Sequence, residues 1–99
     1  MEYRIVILPD ATIDFEKSIE WYNNINPSLA KQFIVEIETT ICFISKNPLM
    51  FQYDYGTYKS VNTSKFLFKI VYRINGDEIV IVAIFHHKRN PKILYSRIE

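Results

Sequence analysis

The residues of this chain with the means to do chemistry are lysine, arginine, histidine and tyrosine. They gather in its second half as Lys59, Lys65, Lys69, His86, Lys88, Arg89, Lys92, Tyr95 and Arg97. The acids Asp10, Asp14, Glu16, Glu20, Glu36 and Glu38 lie in the first half, so a formal charge of only +1 conceals two halves of opposite character. The chemistry open to such a set is that of cations and phenols. A guanidinium is a bidentate ligand for phosphate or carboxylate, and Arg89 with Tyr95, on a segment that must return past the sheet edge, would hold such an anion. Lys69 interrupts the apolar run Phe66 to Tyr72, where a charge costs stability unless water or an anion reaches it. His86 stands beside cations that favour its neutral form.

Other chemistries are excluded by what is absent. His86 and His87 are adjacent and point to opposite sides of an extended strand, with no cysteine cluster or helical His pair to complete a metal site. No serine sits in a glycine-flanked elbow. The chain has two glycines, Gly56 and Gly76, too few for a loop that cradles phosphate. The lone Cys42 falls in an apolar helical run and reads as a small buried hydrophobe in a reducing compartment. No metal and no cofactor are expected.

Positioning falls to Lys65 to Pro91. Two apolar runs of strand length, Phe66 to Ile74 and Ile79 to Phe85, flank Asn75-Gly76, a strong tight-hairpin signal. With Ile74 and Asp77 flanking the turn, Arg73 faces Glu78, Val71 faces Val80, Lys69 faces Val82, Leu67 faces Ile84 and Lys65 faces His86. The other side is then Phe68, Ile70, Tyr72, Ile79, Ile81, Ala83 and Phe85, apolar throughout and expected to meet helices. The first side carries Lys65, Lys69 and His86 at one end.

Tyr3 to Leu8 reads as a first strand. Pro9 opens a helix over about 9–24 with Ala11, Phe15, Ile19 and Tyr22 on one stripe. Asn26-Pro27 then caps and opens a second helix, whose stripe Ala30, Phe33, Ile34, Ile37, Ile41 and Ile44 ends at Asn47-Pro48. Two amphipathic helices so closely linked pack as an antiparallel hairpin over a sheet. Leu49 to Gly56 reads as a connection whose Met50, Phe51, Tyr53 and Tyr55 close one end of the core. Tyr58 to Val61 is a short strand, and Pro91 to Glu99 a tail forming an irregular strand or a last helical turn. Ninety-nine residues, about half of them apolar, make one small domain over 1–99. There is no basic leader with an apolar core and no apolar run long enough to cross a bilayer, so the expected location is the cytoplasm.

The stretch FLFKIVYRINGDEIVIVAIFHHKRNP resembles the RelE/ParE superfamily of bacterial toxins from type II, plasmid stabilisation-type toxin–antitoxin systems. The shared pattern is an aromatic-rich strand ending in Tyr-Arg, a turn, an apolar strand, and His followed three residues later by Arg and then Asn-Pro. His86, Arg89 and Pro91 fill those places, and PDATIDFEKSIEWY with NPSLAKQFIVEIETTICFISKNP supplies the helical hairpin. The resemblance implies an α+β fold: an N-terminal strand, an antiparallel helical hairpin, then a three-stranded antiparallel C-terminal sheet.

It also implies one of two activities. RelE-like toxins are ribosome-dependent mRNA endoribonucleases, whereas ParE-like toxins inhibit DNA gyrase. Matched to the RelE-like pattern, Lys59 takes the place of a catalytic lysine, Lys69 that of an arginine on the central strand, Arg89 that of a later arginine and Tyr95 that of a tyrosine. A second lysine is missing, its place falling at Ser60 or Val61. Cleavage by a ribose 2′-hydroxyl would use Lys59 or His86 as base, Tyr95 or Arg89 as acid and Lys69 as cationic support. The long helical hairpin and the His-x-x-Arg-Asn-Pro ending look more like the ParE-like branch. The expectation is therefore a toxin that binds gyrase, the alternatives being the RelE-like nuclease acting on ribosome and mRNA or an orphan homologue that binds only an antitoxin. The expected partner is a cognate antitoxin whose acidic segment covers Lys65, Lys69, His86, Arg89 and Lys92, in a homo- or hetero-oligomer away from any membrane.

Overall fold

Prolines set the start of both long helices. A computed structural model describes residues 2–98, apart from the side chain of Tyr55. Strand β1 (Arg4–Ile7) runs into helix α1 (Pro9–Ile25), and Asn26 both ends α1, its N–H on the Tyr22 carbonyl, and caps helix α2 (Pro27–Lys46) by accepting the Ser28 N–H at 2.9 Å. Strands β2 (Tyr53–Tyr55), β3 (Tyr58–Asn62), β4 (Phe68–Asn75) and β5 (Glu78–His86) follow, and helix α3 (Pro91–Ile98) closes the chain. The strands form one mixed sheet in the order β1-β5-β4-β3-β2, antiparallel except for β1, which lies parallel to β5. The α+β architecture expected from the sequence is present, with β1 and the short β2 extending the C-terminal sheet at its two edges.

The helical hairpin packs on one face. Phe33, Ile37 and Ile44 of α2 and Ala11 of α1 are fully buried against Phe68, Ile70, Tyr72, Ile79, Ile81 and Ile84. Phe33 is the centre of an aromatic cluster, with the rings of Phe68 at 4.8 Å, Tyr22 at 5.1 Å, Phe66 at 5.4 Å and Phe15 at 5.8 Å.

The β4–β5 register differs from the expected one in two ways. Asn75 pairs with Glu78, so Gly76-Asp77 forms the turn and Arg73 faces Val80 instead of Glu78. Gly76 carries the positive φ, +61°, while Asn75 stays in the strand. Moving every partner by two residues keeps each side chain on its face. The second difference does not: Tyr72 pairs with Ile81 but Val71 with Ala83, leaving Val82 as an extra residue in a bulge. Beyond it the faces exchange. Ile84 joins the helical-hairpin face, whereas Ala83 and Phe85, expected there, turn to the other. Lys65 and Leu67 lie outside the ladder, in the loop before β4.

That second face is covered. Val71, Ala83 and Phe85 pack on Leu94 of α3, with Tyr58 and Ile98 at the margin. The tail is thus two helical turns, started by Asn90, whose side chain accepts the Lys92 N–H at 3.0 Å. Cys42, expected to be buried, is exposed on α2 because Ile37, Ile41 and Ile44 take the inward positions. Of the aromatic connection only Phe51 packs on the core; Met50 and Tyr53 are exposed, and the Tyr55 side chain lies outside the described residues.

Candidate functional site

β1 is too short to cover β5. Its pairing ends at Ile7↔Ile81, with the Leu8 N–H on the Ile81 carbonyl at 3.0 Å, after which the chain turns at Pro9 into α1. Beyond that point the outer edge of β5 needs other partners. Asp14, on the inward stripe of α1 and only 3% exposed, accepts the Ile84 N–H at 3.1 Å. Arg97 of α3 grips both oxygens of the same carboxylate, at 2.6 Å and 2.9 Å, and reaches the Val82 carbonyl at 3.5 Å. Arg89 is a third partner, through Nη1 at 2.7 Å. Burial alone would push the Asp14 carboxyl up, but the hydrogen bonds from Arg97, Arg89 and the Ile84 N–H outweigh it and hold the group below the usual carboxylate range. One acid on α1 therefore ties together the bulged edge of β5, the segment after it and α3.

Next to this junction, α1 and the outer end of the β4–β5 hairpin enclose a cavity of about 360 Å³. Lys17, Trp21 and Tyr22 line one wall, and Phe68, His86 and Arg89 the other, with Asp14 at the base. The His86 ring stands edge-on to Phe68 at 5.0 Å, and its Nδ1 accepts the Lys88 N–H at 3.0 Å, leaving Nε2 as the donor of the neutral ring. Burial, with the charges of His87 and Lys88, pushes its pKa down from the ordinary 6.5, so the ring is neutral at pH 7.

The residues singled out from sequence do not form one cluster. Lys59 pairs with Tyr72 on the helical-hairpin side and is 6% exposed; its Nζ donates to the Phe51 carbonyl at 2.6 Å and lies 4.0 Å from the centre of the Tyr53 ring. Lys69 pairs with Phe85 on the opposite side, where its amine meets Asp54 at 3.5 Å. Tyr95 is exposed on α3. Lys92 is exposed at the start of that helix. Lys65 lies in the β3–β4 loop, which is strapped to α2 by Glu36 accepting the N–H groups of Lys65 and Phe66, each at 3.1 Å. His86 and Arg89 come together at the cavity, and the Arg89 guanidinium also lies 5.2 Å from the centre of the Phe85 ring. Among the described residues no group of three His, Cys, Asp or Glu side chains is placed to hold a metal, and no helix is long and apolar enough to cross a membrane.

The family model of the ParE toxin of type II toxin–antitoxin systems, parDE, matches residues 5–91. The chain belongs to the ParE toxin family. No curated protein is a significant match to the sequence. Among solved structures, one from the chromosomal ParDE toxin–antitoxin system of P. aeruginosa is similar with a TM-score of 0.77 at 16% identity, over 86% of this chain and 96% of that one. The RelBE2 toxin–antitoxin complex from Mycobacterium tuberculosis is similar with a TM-score of 0.59 at 17% identity, over 88% of this chain and all of that one. At such identities the likeness is one of fold.

The part of this ParE-family chain that sequence reasoning passed over is the Asp14 junction. By sequence, Asp14 is one acid of the first half among several and Arg97 one cation of the second. A signal was available: Asp14 lies between Ala11 and Ser18 on the stripe that also holds Phe15 and Tyr22. An acid on a buried stripe demands a buried partner.

Proposed function

We propose that this chain is the toxin of a type II toxin–antitoxin pair, acting in the cytoplasm by binding and inhibiting DNA gyrase and held inactive by an antitoxin. Its place in the ParE family supports the toxin role. Against RNA cleavage, one observation carries the reading: the lysine at the first catalytic place is spent on structure. The amine of Lys59 is occupied by the Phe51 carbonyl and the Tyr53 ring, and the sheet separates it from Lys69. Acid–base cleavage needs its base and acid within hydrogen-bond reach of one phosphate. His86 and Arg89 share the cavity, where Arg89 is already bound to Asp14.

The test is induction of the chain in bacterial cells, with primer extension on translated messages, beside a supercoiling assay of purified chain with purified gyrase. The expected result is growth arrest with intact messages and blocked supercoiling. Cuts at fixed codon positions with supercoiling unaffected would overturn the reading in favour of the nuclease.

A further inference from the structure

Trp21 is the chain's one tryptophan, and it stands 68% exposed at the rim of the cavity between α1 and the β4–β5 hairpin. Its neighbours there are Tyr22 and Arg89. Trp, Tyr and Arg are the residue types that concentrate binding energy at protein interfaces, and here they share one concavity. The aromatic wall is rigid: Tyr22 packs edge-on to Phe66 at 5.1 Å and Phe68 edge-on to His86 at 5.0 Å. At about 360 Å³ the space suits one large side chain and its neighbour rather than a whole helix.

The charge of the cavity is positive. Lys17 and Arg89 line it against Asp14, the one acid of the lining; Asp14 is also gripped by two nitrogens of Arg97, whose Nε lies 3.8 Å from Asp10, so the lining itself keeps one cation in excess. Arg89 gives Asp14 a single nitrogen; the rest of its guanidinium makes no other hydrogen bond among the described residues, and the side chain is 36% exposed. Lys17 lies one helical turn before Trp21 and makes no ion pair among the described residues, so its ammonium and the indole border the same opening. His86 adds the Nε2 donor. Each wall of the cavity thus carries aromatic surface and one cation, Lys17 beside Trp21 and Tyr22 and Arg89 beside Phe68 and His86, with both glycines, and hence any tight backbone approach to a phosphate, elsewhere.

We propose that this cavity is the anchoring pocket for an acidic peptide segment of a protein partner, taking an aromatic side chain against Trp21, Tyr22 and Phe68 and the carboxylate of the adjoining residue at Lys17 and Arg89. That the partner is the antitoxin rests on the toxin reading above; the pocket and its chemistry do not. The location also differs from the broad cationic face expected from the sequence, since Lys65 and Lys69 contribute nothing to it.

The single tryptophan makes the site its own reporter. The purified full chain is titrated with acetyl-Phe-Glu-amide, acetyl-Phe-Gln-amide, acetyl-Gly-Glu-amide and adenosine monophosphate, following Trp21 fluorescence and the indole N–H resonance. Acetyl-Phe-Glu-amide should perturb both, and loss of either its ring or its carboxylate should weaken binding by about ten-fold, the scale of one buried ring in the first case and of one charge-assisted hydrogen bond in the second. Lys17→Gln, an exposed substitution that leaves the Asp14 junction intact, should weaken the Phe-Glu peptide by a similar factor and leave the Phe-Gln peptide unchanged. Lys31→Gln, on α2, should alter neither. No response at Trp21, equal binding of all the peptides, or indifference to Lys17→Gln would overturn the proposal, as would tighter binding of the nucleotide, which would make the cavity a nucleotide site. Because the titration needs no toxic activity, peptide binding without gyrase inhibition or growth arrest would remove the toxin reading and leave the pocket standing.

Discussion

The helical hairpin and α3 cover opposite faces of one sheet, and different physics holds each in place. The hairpin is attached by area: its apolar stripes meet the sheet along its length, and Phe33 alone contacts four aromatic rings. α3 has only eight residues, too few to form a stable helix unaided, and it buries one side chain fully, Leu94. Its second anchor is directional, the grip of Arg97 on Asp14. A long amphipathic element tolerates the loss of any one contact better than a short one tolerates the loss of its tether.

The largest effect should come from the centre of the area-held side. Phe33→Ala removes a fully buried ring and should cost about 3 to 5 kcal/mol in urea unfolding. A loss below about 1 kcal/mol would mean that the hairpin is not held through this cluster.

Asp14→Asn tests the tether. It leaves Arg97 and Arg89 facing a neutral amide, and should cost about 2 to 4 kcal/mol, somewhat below the figure for a fully buried pair because the arginine side chains keep 13% and 36% exposure. The loss should be local as well as global: amide exchange in α3 should rise sharply while the buried positions of α2 keep their protection. Equal loosening of both helices would erase the distinction drawn here.

Acid should act on the same tether. Asp14 has a folded pKa below its ordinary 3.8, so its contribution is fully present above that value and is lost as pH falls through the depressed folded value. His86, whose pKa is lowered from 6.5, takes up its proton less readily when folded, so stability also declines as pH falls below 6.5. Acid unfolding curves of the parent and of Asp14→Asn should therefore share the limb that begins near pH 6.5 and differ in the one below 3.8.

The contrast between the faces also explains what could be read from the residues alone. Proline and asparagine at 9, 26 and 27, with stripes at three- and four-residue spacing, make the helical hairpin legible. Ile79 to Phe85 is apolar without alternation, so nothing in it marks Val82 as the residue where the faces exchange. Once that bulge is missed, Ala83 and Phe85 fall on the wrong face and the need for a cover over them disappears from view. Asn90-Pro91 repeats the Asn26-Pro27 start signal, yet the tail after it is short enough to read equally as an irregular strand or a last helical turn, and its extent as α3 comes from the structure. The cavity joins α1 to the segment after β5, a juxtaposition that depends on the bulge and on the Asp14 tether together.

Tyr72→Phe is a smaller probe of the hairpin side. The hydroxyl donates to the Pro48 carbonyl at 2.7 Å in a buried position, and burial pushes its pKa up to about 12. Removing it leaves that carbonyl unpaired and should cost about 1 to 2 kcal/mol by thermal or urea unfolding. No loss would show that water takes over the carbonyl and that this end of the core is open.

The smallest effect is expected on the outer surface of α3, and there it separates the two toxin activities. Tyr95 is 42% exposed, and the adjacent Leu94, not Tyr95, fills the core of the covered face. Tyr95→Phe removes one hydroxyl from an exposed ring, so stability should change by less than about 0.5 kcal/mol. Under the binding mode of action, growth arrest and gyrase inhibition should persist nearly unchanged, because an exposed hydroxyl seldom carries an interface by itself. Under the nuclease reading the same hydroxyl would supply a proton in the transition state, and its loss would cut message cleavage by about a hundred-fold or more with the fold intact. A stable Tyr95→Phe chain that still arrests growth places the activity in binding surfaces; a stable but harmless one, with message cuts that vanish alongside toxicity, moves it to chemistry on the α3 side of the sheet.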